Sequence, residues 1–171
     1  ALYITQTLDN ALGTGEISVW LQQQYDYQTG RISGAEALCR WTHSHLGWLS
    51  PGEFIPALEK TGQIQKLDFY VWEEVCKLMQ RWRSSATMLP LSVSVNVSRL
   101  DVIEGDIITR LNELTNKYDL PASAFRLEIT EGAYMQRPDV LINVVDQLHD
   151  YGYVVEMDDF GSGYSSLNML K

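Results

Sequence analysis

The 171-residue sequence predicts an α/β fold, a mostly parallel sheet wrapped by helices in the manner of a (β/α) barrel, with an antiparallel first strand. Three observations lead there. Runs with two-residue alternation take turns with runs of three- and four-residue periodicity, the pattern of strand–helix units. The first two strand-like runs are joined by Gln28-Thr29-Gly30, too short for a parallel crossover. Finally, groups able to bind a hard cation recur in phase near the ends of successive strands.

Composition narrows the function classes. With 45% hydrophobic and 20% charged residues, the chain has an ordinary globular balance and enough length for one sizeable core. A formal net charge of -9 argues against binding a nucleic acid polymer or an anionic membrane non-specifically. An anionic ligand would need a cation or a few placed donors to offset that field. Cys39 and Cys76 form no CxxC spacing and sit in apolar patterns, as expected of reduced core positions in a cytoplasmic protein. No run approaches transmembrane length and no signal peptide opens the chain, so no membrane contact by this segment is expected. The abrupt start suggests a piece of something longer.

The elements follow in order. Leu2, Ile4, Leu8 and Leu12 have loosely helical spacing, predicting a lead-in helix over about 1–15. Residues 17–27 and 31–41 form the predicted hairpin, and alternation puts Glu36 on one face with Ile32, Gly34, Leu38 and Arg40. His43 and His45 fall in the loop that follows, where a lone HxH is a poor zinc signal. Ser50-Pro51-Gly52-Glu53 has capping-box spacing with Pro at the first helical position. A longer helix over about 63–83 carries Ile64, Leu67, Val71, Val75, Leu78 and Trp82 on its inner face.

Residues 91–97 are the cleanest strand, with Ser92, Ser94 and Asn96 opposite the apolar side chains. One helix is expected from there to about 118, with Ile107, Ile108, Leu111 and Leu114 inward. In residues 125–130, Arg126, Glu128 and Thr130 share the polar face. A helix beginning at Pro138 carries Leu141, Val144, Val145 and Leu148, and a last strand, 153–158, places Val154, Glu156 and Asp158 together. The bulkier apolar faces belong under the helices. Glu36, Asn96, Glu128 and Asp158 then fall on the opposite, interior face, near C-terminal strand ends, where (β/α) barrels assemble their sites. Three carboxylates and one amide oxygen suit Mg²⁺ or Mn²⁺ rather than zinc. Asp158 and Asp159 end the last strand together, and two acids there are costly unless a cation or donors compensate. Gly161 and Gly163 follow in the loop.

At this point the motifs resemble a family. GAEALCRW is similar to the signature of the EAL domain, the bacterial phosphodiesterases that open cyclic di-GMP to linear pGpG. QTGRISGAEALCRW, LSPGEFIPALEKTG, SVNVS, LEITE and DDFGSGYSSL occur in family order and spacing. The resemblance implies a TIM-barrel-like fold and metal-assisted hydrolysis with two cations, Mg²⁺ or Mn²⁺. It implies Glu36, Asn96, Glu128 and Asp158 as ligands of the first metal, with Asp158 shared with a second that Asp159 also serves. Gln22 matches a residue of the family's substrate pocket. Arg40 and the backbone near Leu38 match elements that hold phosphate and guanine. Glu131 matches a residue that steadies the loop after the paired aspartates.

Departures accompany the matches. Gln22-Gln23 stands where Gln-Pro is common, and Glu156 adds a carboxylate beneath the metal site. About five of eight strands are expected, against about 250 residues for a complete barrel. The chain therefore reads as the N-terminal two-thirds of a single EAL domain over 1–171, expected to be inactive alone and either to associate, as a homodimer, through an unpaired strand edge or to be only marginally stable. Two functions stay open: a phosphodiesterase domain, or a non-catalytic module that binds cyclic di-GMP or a protein partner as a switch.

Overall fold

The computed structural model describes residues 2–85, 92–130 and 137–158. Helix α1, Leu2–Thr14, leads into a hairpin of β1, Ile17–Tyr25, and β2, Ile32–His43. A three-residue strand β3, Gly47–Leu49, then precedes α2, Pro51–Lys60, and α3, Ile64–Arg83. After β4, Ser92–Val97, come α4, Arg99–Ile103, and α5, Ile107–Lys117. The described chain continues with β5, Phe125–Thr130, α6, Pro138–Asp150, and β6, Val154–Asp158.

The sheet order is β1-β2-β4-β5-β6, with β3 pairing to β2. β1 runs antiparallel to β2, while β2, β4, β5 and β6 are mutually parallel. The predicted hairpin is thus present. Its turn is held by Asp26, whose Oδ1 accepts from both the backbone N–H and the hydroxyl of Thr29. The sheet is mixed and not closed among the described residues.

Alternation carries the core as expected. Val93, Val95 and Val97 of β4 and Phe125, Leu127 and Ile129 of β5 are all buried beneath the helices. The capping box at Ser50 forms, with the Ser50 N–H donating to Glu53 Oε2 at 2.9 Å.

Several expectations need correction. Leu2 is 72% exposed and Leu12 half-buried, while α1 buries the expected Ile4 and Leu8 together with Thr5 and Ala11. On α3 the buried stripe runs through Asp68, Trp72, Cys76 and Met79 beside the predicted Ile64, Leu67, Val71 and Val75, leaving Leu78 and Trp82 half-buried. The single helix expected after β4 is two helices. Its break falls at Glu104–Asp106, where a Cβ on Gly105 would meet the Asp101 carbonyl oxygen at 2.7 Å, and Asp106 caps the second helix by accepting from the Thr109 N–H. The strand β3 is too short for alternation to signal it.

His43 lies at the end of β2 rather than in a loop. It is buried and stacks on Trp41 with ring centroids 5.9 Å apart. Its Nδ1 accepts from the His45 N–H, and its Nε2 lies 3.1 Å from Thr7 Oγ1, which itself donates to the Tyr3 carbonyl. Both ring nitrogens are therefore engaged in holding α1 against the hairpin, a packing role rather than a metal-binding one. Cys39 and Cys76 are free thiols, each pushed up to about 12 by burial, as inert core cysteines should be.

Candidate functional site

The interior face of the sheet is built from strand register. Gln22 of β1 pairs with Glu36 of β2, and Glu36 stands level with Ser94 of β4. Two residues further along β4, Asn96 is level with Glu128 of β5, which is level with Glu156 of β6. Register partners share a face, so Glu36, Asn96 and Glu128 are brought together as the alternation predicted, and Gln22, singled out only by the family resemblance, stands beside Glu36. Asn96 and Glu128 stand on adjacent strands, about 4.8 Å apart at the backbone.

Local packing fixes these positions. The Trp72 Nε1–H of α3 donates to the Asn96 carbonyl at 3.1 Å and anchors the end of β4. Glu128 is buried at 9% exposure, Glu36 is half-buried and Asn96 and Gln22 are exposed. Asp158 occupies the last position of β6, level with Thr130 and in phase with Glu156. Its side chain lies outside the described residues, as do Asp159, Glu131 and the 160–166 loop.

Glu128 and Glu156 would place two carboxylates side by side. Arg126, on the same face two residues before Glu128, answers this: its Nη1 donates to Glu156 Oε1 at 3.3 Å. The extra acid noticed in the sequence is thus an ion-paired one. Ser94 is fully buried between Glu36 and Arg126, and its hydroxyl oxygen has no partner among the described residues. Alternation places Ser94 and Arg126 on this face, but gives neither of them a role there.

Beside it lies a cavity of about 270 Å³ at the C-terminal rim. Leu38 and Arg40 of β2, Pro51 and Ile55 of α2, and Asn96 and Arg99 after β4 contribute to its wall. Arg99 carried no sequence signal, because only the pairing of β4 with β2 brings it to Arg40. Its wall carries Arg40 and Arg99, the acids Glu59 and Asp68, and aliphatic side chains, a mixed lining that offers both charge-assisted donors and an apolar surface.

The donor set fits a hard divalent cation: two carboxylates and an amide oxygen on neighbouring strands, with one acid buried. Among the described residues no three His, Cys, Asp or Glu side chains form a metal-holding group, and the described part of the set is Glu36, Asn96 and Glu128.

Fold and site together define a barrel-like (β/α) domain with an acidic interior face beside a cavity walled by Arg40 and Arg99 among aliphatic and acidic residues. The chain belongs to the EAL domain family, whose model it matches over residues 5–171. It is 33% identical over 172 residues to the cyclic di-GMP phosphodiesterase PA2567 of Pseudomonas aeruginosa, covering 100% of this chain and 29% of that protein. It is 32% identical over 170 residues to the bifunctional diguanylate cyclase/cyclic di-GMP phosphodiesterase MucR of the same organism, covering 99% of this chain and 25% of MucR. Among solved structures, the PaMucR phosphodiesterase in its c-di-GMP complex superposes with a TM-score of 0.88 at 31% identity, over 97% of this chain and 67% of that one. The expected family and barrel-like fold are borne out.

Proposed function

We propose that this chain forms part of a metal-dependent phosphodiesterase that hydrolyses cyclic di-GMP to linear pGpG. The observation that carries this reading is the register of Gln22, Glu36, Asn96 and Glu128 on one face, beside the cavity walled by Leu38, Arg40 and Arg99. The names of its relatives PA2567 and MucR agree with it.

In this reading Glu36, Asn96, Glu128 and Asp158 hold one Mg²⁺ or Mn²⁺, and Asp158 with Asp159 serves a second. Bound there, such ions would supply Lewis acidity, making water easier to deprotonate and offsetting the charge of the scissile phosphate. Gln22 presents its amide to the substrate beside Glu36. Arg40 and Arg99 attract the dianionic dinucleotide into the cavity, while Leu38, Pro51 and Ile55 exclude water from one base. Glu131 steadies the segment after Asp159. The same reading places the protein in the cytoplasm, in keeping with two free cysteines and with no described helix long and apolar enough to cross a membrane. It also has two copies associating as a homodimer, which sedimentation tests.

The deciding experiment incubates the full-length protein with cyclic di-GMP and Mg²⁺ or Mn²⁺ and separates the products chromatographically. Linear pGpG that disappears in Glu36→Ala supports the reading. Binding without turnover would make the chain a regulatory module instead.

A further inference from the structure

Trp20 lies two residues before Gln22 on β1, so both project from one face of the strand. Its register partner across the hairpin is Leu38, and the next same-face pair towards the rim is Ser18 with Arg40. Trp20 therefore stands about 7 Å along the strand from the Gln22–Glu36 pair, on the side of Leu38 and Arg40.

The indole is 63% exposed, whereas Trp41 and Trp72 are fully buried. Its Nε1–H donates to Ser18 Oγ at 3.2 Å, which engages the ring's one donor. What remains to offer a ligand is a flat, polarisable face. Large apolar faces left in water beside a polar site are favourable places for a heteroaromatic base to stack. Gln22, one repeat away, keeps an amide donor and acceptor at the same level as Glu36.

We propose that Trp20 stacks on a guanine base of the cyclic dinucleotide and sets the affinity of this face for it. The proposal rests on the cyclic di-GMP reading above. Stacking accepts any base, so discrimination among bases falls to neighbouring polar groups such as Gln22, and Trp20 governs the strength of binding.

The test compares wild type, Trp20→Ala and Trp20→Phe in the full-length protein. Cyclic di-GMP affinity is measured by calorimetry, alongside Mn²⁺ affinity and melting temperature. Trp20→Ala should weaken dinucleotide binding about tenfold and Trp20→Phe roughly threefold or less. Mn²⁺ affinity and melting temperature should stay at wild-type values, since the side chain is mostly exposed. If wild type binds and Trp20→Ala binds equally well, stacking is overturned while the functional reading stands. A wild type that does not bind cyclic di-GMP overturns the functional reading, and the stacking with it. Equal losses in both variants with a lowered melting temperature would make Trp20 a packing residue and also overturn the proposal.

Discussion

Asp68 of α3 and Asp101 of α4 meet carboxyl to carboxyl in the interior, Asp68 at 8% exposure and Asp101 at 0%. The Ser98 backbone N–H and hydroxyl donate to Asp101 Oδ2 at 2.9 and 2.7 Å. Among the described residues Asp68 Oδ2 and Asp101 Oδ1 have no hydrogen-bond partner, which is resolved if one proton lies between the two acids. Burial, and then the neighbouring Asp101 charge, push the Asp68 carboxyl well above the usual carboxylate range. Asp68 also lines the cavity at the rim, so the pair braces a wall of the candidate site.

The first prediction follows from that proton. Between the ordinary aspartate value and the raised one, the folded chain keeps a proton that the unfolded chain has lost. Stability should therefore be full at low pH and fall as pH rises towards the folded value. Asp68→Asn donates to Asp101 without needing a proton. Its melting temperature should match wild type in acid, exceed it at pH 8 and vary less between them. A wild type whose stability rises with pH over this range, once other acids are matched in the variant, would contradict the shared proton.

A second prediction concerns Glu128. In Glu128→Ala a buried acid at the centre of the donor set is gone. Without metal the variant should melt at or above wild type, because the remaining acids repel less. Added Mn²⁺ at a hundredfold its dissociation constant should stabilise wild type by about 2.7 kcal/mol and the variant by little. Differential scanning fluorimetry reads both, and turnover in the full-length protein should be lost. Equal metal-induced shifts would remove Glu128 from the site.

Arg126 gives a third. Arg126→Gln leaves Glu156 without its cation, beside Glu128. Both partners are partly exposed, so the metal-free loss should stay below about 1 kcal/mol. The metal-induced gain should grow, since the ion then also relieves the repulsion between two acids. A smaller gain would mean that Arg126 helps to build the site rather than screen an acid.

Gly34 supplies the fourth. A Cβ there would meet the Ser92 carbonyl oxygen of the adjacent strand at 2.9 Å, with Gln24 Oε1 and Ser92 Oγ at 3.4 Å. Gly34→Ala must push β4 from β2 just where Glu36 and Ser94 align. We expect a loss of about 1–3 kcal/mol in denaturant unfolding and weaker metal binding. A variant of wild-type stability would show that the strands part without cost.

Much of this was legible in the chain itself. Alternation in residues 92–97 and 125–130 assigned Asn96 and Glu128 to one face, because a strand's side-chain period is a local property. The three-residue link after Asp26-Tyr27 dictated an antiparallel hairpin, because so short a chain cannot cross over. With the family's motifs in order, these named Glu36, Asn96 and Glu128 as neighbours on one face, though not Arg99 at the cavity.

Only the tertiary structure decided which polar residues could enter the core. Asp68 and Asp101 carry no sign of burial in their own helices, since an acid is tolerated inside only when a particular partner, here another acid and Ser98, is delivered by the fold. The same holds for His43, satisfied by Thr7 from α1, and for the break at Gly105, where α4 turns back on Asp101. Arg99 joined Arg40 at the cavity only once β4 had paired with β2. Periodicity is written residue by residue. The satisfaction of a buried polar group depends on elements far apart in sequence, and packing alone brings them together.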